Sequence, residues 1–261
     1  MKELKITPLG TVSPYCKDTK NCSGFMIEYD DKRYLLDCGN GTTRNMNMKE
    51  DLKNLKVFIS HLHVDHYGDA LCLAQAALVY NRLKYIDKNI DIYIPEDDYI
   101  ENTNNHIEDY YFLHSLTKEY PINIIDYKEL NLKEDDITIK SIYVPHQVKA
   151  HAFRIDTPVG SVVYSGDTGS KNNLREFAKG ADLLICETTF LKNQNRGVDS
   201  HLYTTDTANI AKDAQVKKLM LTHFWPETDK EEYVNEVKDI FENTIYAEEG
   251  KTLVLKKKKK K

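Results

Sequence analysis

The chain lacks the marks of a membrane or secreted protein. No apolar run approaches the roughly 20 residues that cross a bilayer, and no membrane association is expected. The start, Met1-Lys2-Glu3-Leu4-Lys5, has no apolar stretch of signal-peptide length. Cysteine is sparse. The five residues, Cys16, Cys22, Cys38, Cys72 and Cys186, are odd in number and show no paired metal spacing. Buried, reduced thiols and a cytoplasmic location are therefore expected. Positive charge is concentrated at one end: six lysines form the run Lys256 to Lys261, so the net charge of −5 becomes −11 over the rest. An acidic body is a poor platform for a polyanion, whose binding rests on many phosphate contacts. No folded RNA or DNA partner is expected, and the lysine run reads as a disordered, solvated tail.

What is present is ordinary for a globular domain: 41% hydrophobic and 30% charged residues in 261. No linker or short-period repeat divides the chain, which gives one domain over 1–255 followed by the tail at 256–261. Strand patterns lie at Leu4 to Leu9, at Gly24 to Tyr29 with Arg33 to Asp37 (a hairpin turning at Asp30-Asp31), and at Val57 to Ser60 and Ile90 to Ile94. Ala70 to Leu83 has helical spacing. The second half repeats the grammar with strands at Ile122 to Asp126, Ile137 to Val144, Ala152 to Asp156, Ser161 to Ser165, Leu183 to Glu187 and Lys218 to Thr222. Helices are expected at Thr204 to Ala214 and Lys230 to Phe241. Such a pattern predicts two sheets covered by helices. Residues 96–120 mix acids with aromatics, and read either as a cover over a site or as a solvated excursion.

The chemistry concentrates in His61-Leu62-His63-Val64-Asp65-His66, directly after a buried strand. Three imidazoles and a carboxylate in six residues would cost several kcal/mol to bury unpartnered. Solvent or a metal must satisfy them, and zinc accepts both ligand types. Three further candidates each follow a predicted strand: His146 after Val144-Pro145, Asp167 after Ser165-Gly166, and His223 after Leu221-Thr222. Strand ends hold side chains rigidly and let them converge on one cleft.

The order Asp37-Cys38-Gly39, His61-x-His63-x-Asp65-His66, His146, Asp167, His223 resembles the motif pattern of the metallo-β-lactamase superfamily over essentially the whole chain. The resemblance implies an α/β, four-layer αββα sandwich holding two zinc ions, with manganese as an alternative. His61, His63 and His146 would hold one metal, Asp65, His66 and His223 the other, with Asp167 bridging. Asp37 would orient the histidine loop, or else be a strand-end turn carboxylate. Ile185 to Phe190 and Ser200 to Thr205 resemble the ribonuclease Z branch, where a histidine backed by a glutamate assists the leaving group. The equivalents are His201 and Glu187, although Leu-Tyr-Thr-Thr follows His201 where that branch has Ser-Thr. Glu187 has the alternative of a surface salt bridge. Asp65, His201 and Glu187 are then the catalytic candidates: Asp65 orients the attacking water and His201 protonates the departing oxygen.

Only twenty residues separate His146 from Asp167, too few for the arm that grips transfer RNA in many of those enzymes. The opening Pro8 to Cys16, together with Asp37-Cys38-Gly39 and the segment Ser60 to Tyr67, resembles the anti-Pycsar phosphodiesterases. That resemblance implies a homodimer hydrolysing 3′,5′-cyclic nucleotides, including cyclic CMP and cyclic UMP, against a cyclic-nucleotide defence. Competing expectations are a transfer-RNA 3′ endonuclease, another small-ester hydrolase and a nucleotide-sequestering protein. Tyr110, Tyr111, Phe112 and Trp225 are candidates to stack on a base, and His106, His114 and His151 read as surface or structural.

Overall fold

The computed structural model describes residues 2–96 and 107–256, which form two seven-stranded sheets. The first contains β1 (Leu4–Gly10), β2 (Gly24–Tyr29), β3 (Lys32–Leu36), β4 (Leu55–Phe58), β5 (Ile90–Pro95) and β6 (Ile122–Tyr127). The second contains β7 (Asn131–Glu134), β8 (Ile137–Val144), β9 (Ala150–Thr157), β10 (Gly160–Tyr164), β11 (Leu183–Glu187), β12 (Leu219–Thr222) and β13 (Thr244–Tyr246). The last strand, β14 (Leu253–Leu255), returns to the first sheet antiparallel to β1. Both sheets run antiparallel on one side and parallel on the other. β3, β4, β5 and β6 are parallel, as are β10, β11, β12 and β13.

Alternation along the strands decides the layers, because successive side chains leave opposite faces. In β11, Leu183 and Ile185 enter the core between the sheets, whereas Leu184 and Cys186 enter the core beneath the helices. In β4, Phe58 faces the other sheet and Val57 faces outward to its own helical layer. That first outer layer holds α1 (Met48–Asp51), α2 (Val64–Tyr67), α3 (Ala70–Arg82) and α4 (Ile107–Leu116). The second holds α5 (Leu174–Phe177), α6 (Thr204–Asp213) and α7 (Lys230–Lys238). Leu73, Ala74 and Ala77 of α3 and Ala208, Ile210 and Ala211 of α6 bury their apolar stripes on the two outer faces. The result is the αββα sandwich expected from the sequence.

Several elements were not anticipated. β7 exposes Asn131 and Lys133, and β13 and β14 are three residues each, too short to show a period. Of segment 96–120, residues 97–106, with His106, lie outside the described residues, as does the run Lys257 to Lys261. The rest includes α4, which buries Leu113 and Leu116 in the outer core and so is not a solvated excursion. The cysteine expectation needs correction: all five thiols are free, but Cys16 and Cys72 are exposed. Among the described residues no helix is long and apolar enough to cross a membrane.

Candidate metal centre

The parallel strands end along one rim, and that rim carries the polar residues. Asp37 follows β3, Ser60 to His63 follow β4, and Asp65 and His66 lie in the turn of helix α2. From the other sheet come His146 after β8, Asp167 after β10, Glu187 at the end of β11 and His223 after β12. Two of these positions require left-handed backbone: Asp37 has φ 59° and His223 φ 65°. Such a conformation is uncommon for side-chain-bearing residues. Backbone hydrogen bonds hold both, from Asp37 N–H to Phe58 O at 2.9 Å and from His223 N–H to Thr11 O at 2.9 Å. Gly166 also has positive φ, and a Cβ there would stand 2.7 Å from His151 O.

The donor atoms fall into three overlapping groups around Asp167. His61, His63, His146 and Asp167 form one set, with all donor atoms within 4.8 Å of one another; Asp65, His66 and His223 form a second, and Asp167, His201 and His223 a third that shares residues with both. In the first, His63 Nδ1 lies 3.0 Å from His61 Nε2 and 3.2 Å from His146 Nε2. Asp167 Oδ2 lies 3.7 Å from His61 Nε2 and 4.0 Å from His146 Nε2. The same oxygen lies 3.3 Å from His66 Nε2 and 3.0 Å from His223 Nε2. Asp65 Oδ2 is 3.6 Å from each of those two nitrogens, which are themselves 3.4 Å apart. Ligands about 2.0–2.1 Å from a tetrahedral zinc stand roughly 3.3 Å from each other, so these spacings are those of coordination edges.

The far side of each ring explains why the near nitrogens face one another. His66 Nδ1 donates to Asp37 Oδ2 at 2.6 Å, and His146 Nδ1 donates to Ser200 O at 2.8 Å. Ser60 Oγ donates to Asp37 Oδ2 at 2.8 Å, so His61 Nδ1, 3.0 Å away, donates to Ser60. Thr189 Oγ1 likewise donates to Glu187 Oε2 at 2.7 Å and accepts from His223 Nδ1 at 2.8 Å. Four imidazoles are thereby set with Nε2 free to offer a lone pair inward. Nitrogens at such spacing need a shared cation or protons. Asp167 Oδ1 is buried without a hydrogen-bond partner among the described residues. An orphaned carboxylate oxygen inside a ring of imidazoles fits a divalent cation, and the donor set accommodates two.

Titration behaviour follows the same logic. Burial holds His61 well below its ordinary range and pushes His63 down to about 4, which keeps both neutral. Burial opposes charge on Asp167 too, but His223 and His66 hold it well below the ordinary carboxylate range. For His223, burial is again outweighed, chiefly by Asp167, which raises it to about 10. A proton on His223 stands where a cation would neutralise the carboxylates, and metal binding displaces such protons.

His201, from the loop before α6, joins the rim. Its Nδ1 is 3.1 Å from Glu187 Oε1 and 3.8 Å from Asp167 Oδ2. The ring stacks on His223 at 5.2 Å between centroids and remains 21% exposed at the side chain. Burial disfavours its protonation, but Glu187 overrides this and raises its pKa. Glu187 is buried and not in a surface salt bridge. It also accepts N–H bonds from Thr168 at 2.8 Å and Leu202 at 3.2 Å.

All seven expected ligand candidates, with His201 and Glu187, meet at this rim. Sequence reasoning missed Ser13, Tyr164 and Thr189. Ser13 Oγ donates to Asp65 Oδ2 at 2.7 Å, and Tyr164 OH to Asp37 Oδ2 at 2.6 Å. Ser13 and Thr189 lie in segments that carried a family resemblance, but nothing in the sequence assigned their hydroxyls a partner, and Tyr164 carried no signal. Among the stacking candidates, Tyr110, Tyr111 and Phe112 sit on α4. Trp225 packs edge-on against Phe190 at 5.8 Å, and Phe190 lies 6.3 Å from His201. His151 is buried, as a structural residue would be.

A model of the beta-lactamase superfamily domain matches residues 32–224. An uncharacterized protein of Mycobacterium leprae is 28% identical over 260 residues, covering 94% of this chain and 86% of that protein. A ribonuclease Z of Thermococcus onnurineus is 28% identical, covering 84% of each chain. The crystal structure of YhfI, a metallo-beta-lactamase fold protein from Bacillus subtilis, superposes with a TM-score of 0.85 at 25% identity. That match spans 97% of this chain and 99% of YhfI.

Proposed function

Because this chain belongs to the beta-lactamase superfamily, on its ribonuclease Z and YhfI side, and is a metal-dependent hydrolase, we propose that it cleaves small cyclic phosphodiesters, 3′,5′-cyclic nucleotides foremost. The observation that carries the reading is His201, held by Glu187 beside Asp167, whose carboxylate belongs to the first donor set and faces His66 and His223 of the second. A phosphodiester needs charge neutralised on its oxygens and a proton delivered to the leaving oxygen, and the rim offers groups for both. His61, His63 and His146 would hold one divalent cation and Asp65, His66 and His223 the second, with Asp167 between them. When bound, such cations supply Lewis acidity and a nucleophile from water at neutral pH. Glu187 fixes the Nδ1 proton of His201, so that Nε2 serves as the donor to the departing ribose oxygen. Asp65, anchored by Ser13, orients the attacking water.

A small substrate is favoured by what lies between His146 and Asp167. That span is filled by β9, β10 and their turn, which leaves no length for an RNA-gripping arm. We extend the proposal to a cytoplasmic homodimer using zinc or manganese. The resemblance of the opening segment, of Asp37-Cys38-Gly39 and of Ser60 to Tyr67 supports a role against a cyclic-nucleotide defence. The similarity to ribonuclease Z supports transfer-RNA 3′ processing as the second reading.

The test is a substrate panel, assayed with zinc and with manganese: 3′,5′-cyclic, 2′,3′-cyclic and linear phosphodiesters, together with a precursor transfer RNA. Fastest turnover of a 3′,5′-cyclic nucleotide is expected. Specific 3′ cleavage of the RNA at low enzyme concentration, with the cyclic substrates intact, would overturn the proposal. Quantitative recovery of bound, unaltered nucleotide would instead identify a sequestering protein.

A further inference from the structure

The loop between β1 and β2 reaches across the rim to residues of both sheets. Ser13 is 6% exposed, and its hydroxyl donates to Asp65 Oδ2 at 2.7 Å. That oxygen is the one lying 3.6 Å from both His66 Nε2 and His223 Nε2. A carboxylate oxygen has two lone pairs, so a hydrogen bond to one fixes where the other is directed. The same loop holds the opposite ligand candidate. His223 N–H donates to Thr11 O, and Ser13 N–H donates to Phe224 O at 3.0 Å. A three-residue segment thus grips α2 through a side chain and the end of β12 through its backbone. Among the described hydrogen bonds of Thr11 to Ser13, those made to ligand candidates go to Asp65 and His223; neither residue belongs to the His61, His63, His146 set.

We propose that Ser13 is a positioning residue for one half of the centre, the Asp65, His66, His223 donor set. It orders the oxygen of Asp65 before any cation arrives, and it does so without touching the other half. The proposal rests on the two-cation reading above. Hydrogen-bonding partners behind metal ligands commonly set affinity by about 10–100-fold. A role confined to one half-site separates positioning from a general packing role, which would weaken both halves and the fold together.

The experiment compares wild type with Ser13→Ala. Both are stripped with chelator, and unfolding of the metal-free proteins is followed first. Zinc is then titrated against a chromophoric competitor, with elemental analysis at saturation. Wild type is expected to take two zinc ions per chain. Ser13→Ala should keep one at unchanged affinity, lose about 10–100-fold in affinity for the other, and unfold like wild type without metal. Retained first-site binding certifies that the variant is folded. Two wild-type-like affinities in the variant would overturn the proposal, and so would equal weakening of both sites with a lowered metal-free melting point. A wild type that binds fewer than two zinc ions would instead overturn the two-cation reading itself, and the proposal with it.

Discussion

Asp37 accepts four hydrogen bonds on one buried carboxylate, and the bond from His66 Nδ1, at 2.6 Å, joins it to the metal centre. Ser60 N–H and Oγ and Tyr164 OH supply the others, so the residue after β3 sets the loop after β4. Asp37→Asn keeps a residue tolerant of φ 59° but loses an acceptor for these donors. Zinc affinity measured by competitor titration is expected to fall by about 10–100-fold. Unchanged affinity would remove Asp37 from the chain of support.

His201→Ala and Glu187→Gln address the proton donor. Each variant is expected to retain its full metal content and lose about 10²–10⁴-fold in kcat on the preferred phosphodiester. Normal turnover in His201→Ala would rule that histidine out. Metal loss in the same variant would make it a ligand.

Asp167→Ala should lose metal and turnover together, because both donor sets include or face its oxygens. Elemental analysis reporting full occupancy would contradict a bridging carboxylate. Chelation of wild type should lower its melting temperature in the same way. Binding at a hundredfold excess over Kd is worth about 2.7 kcal/mol per site, or very roughly 5–10 °C for a chain of this size.

His151 is expected to contribute to the acid sensitivity of the fold from outside the metal centre. Burial pushes it down to about 4, and its Nδ1 has no hydrogen-bond partner among the described residues. The unfolded chain takes up this proton near pH 6.5, whereas the folded one resists it. Its contribution is therefore complete above pH 6.5 and is lost as pH falls toward 4, amounting to roughly 3 kcal/mol. Urea melts of wild type and His151→Gln between pH 4 and 7 should show a shallower pH slope in the variant. Parallel curves would assign the acid loss elsewhere.

The metal ligand candidates were legible in the sequence because chemistry and grammar coincide there. His61 to His66 are contiguous, and His146, Asp167 and His223 each follow an apolar strand, so their convergence needed only a sheet. Ser13 and Thr189 were not legible. A hydroxyl in a polar loop has no periodicity, and its role arises from contact with a residue 52 positions away for Ser13 and 34 for Thr189. Tyr164 looked like any strand aromatic, and only the docked sheets bring it to Asp37, 127 positions away. β13 and β14 escaped for a different reason: three residues at a sheet edge carry too little alternation to be read.

The two donor sets expected to hold cations each draw from both sheets. His61 and His63 hang from the first and His146 from the second, while Asp65 and His66 face His223 across the same seam. Neither of those two cages is complete within one half of the sandwich, so cation affinity gauges how closely the halves are docked. Phe58, two residues before Ser60, meets Phe153 of the opposite sheet at 5.9 Å between ring centroids. Truncating either ring would register as a looser grip on metal, although neither is a ligand. The cations in turn would act as rivets, closing a seam that the chain alone holds by apolar contact and hydrogen bonds.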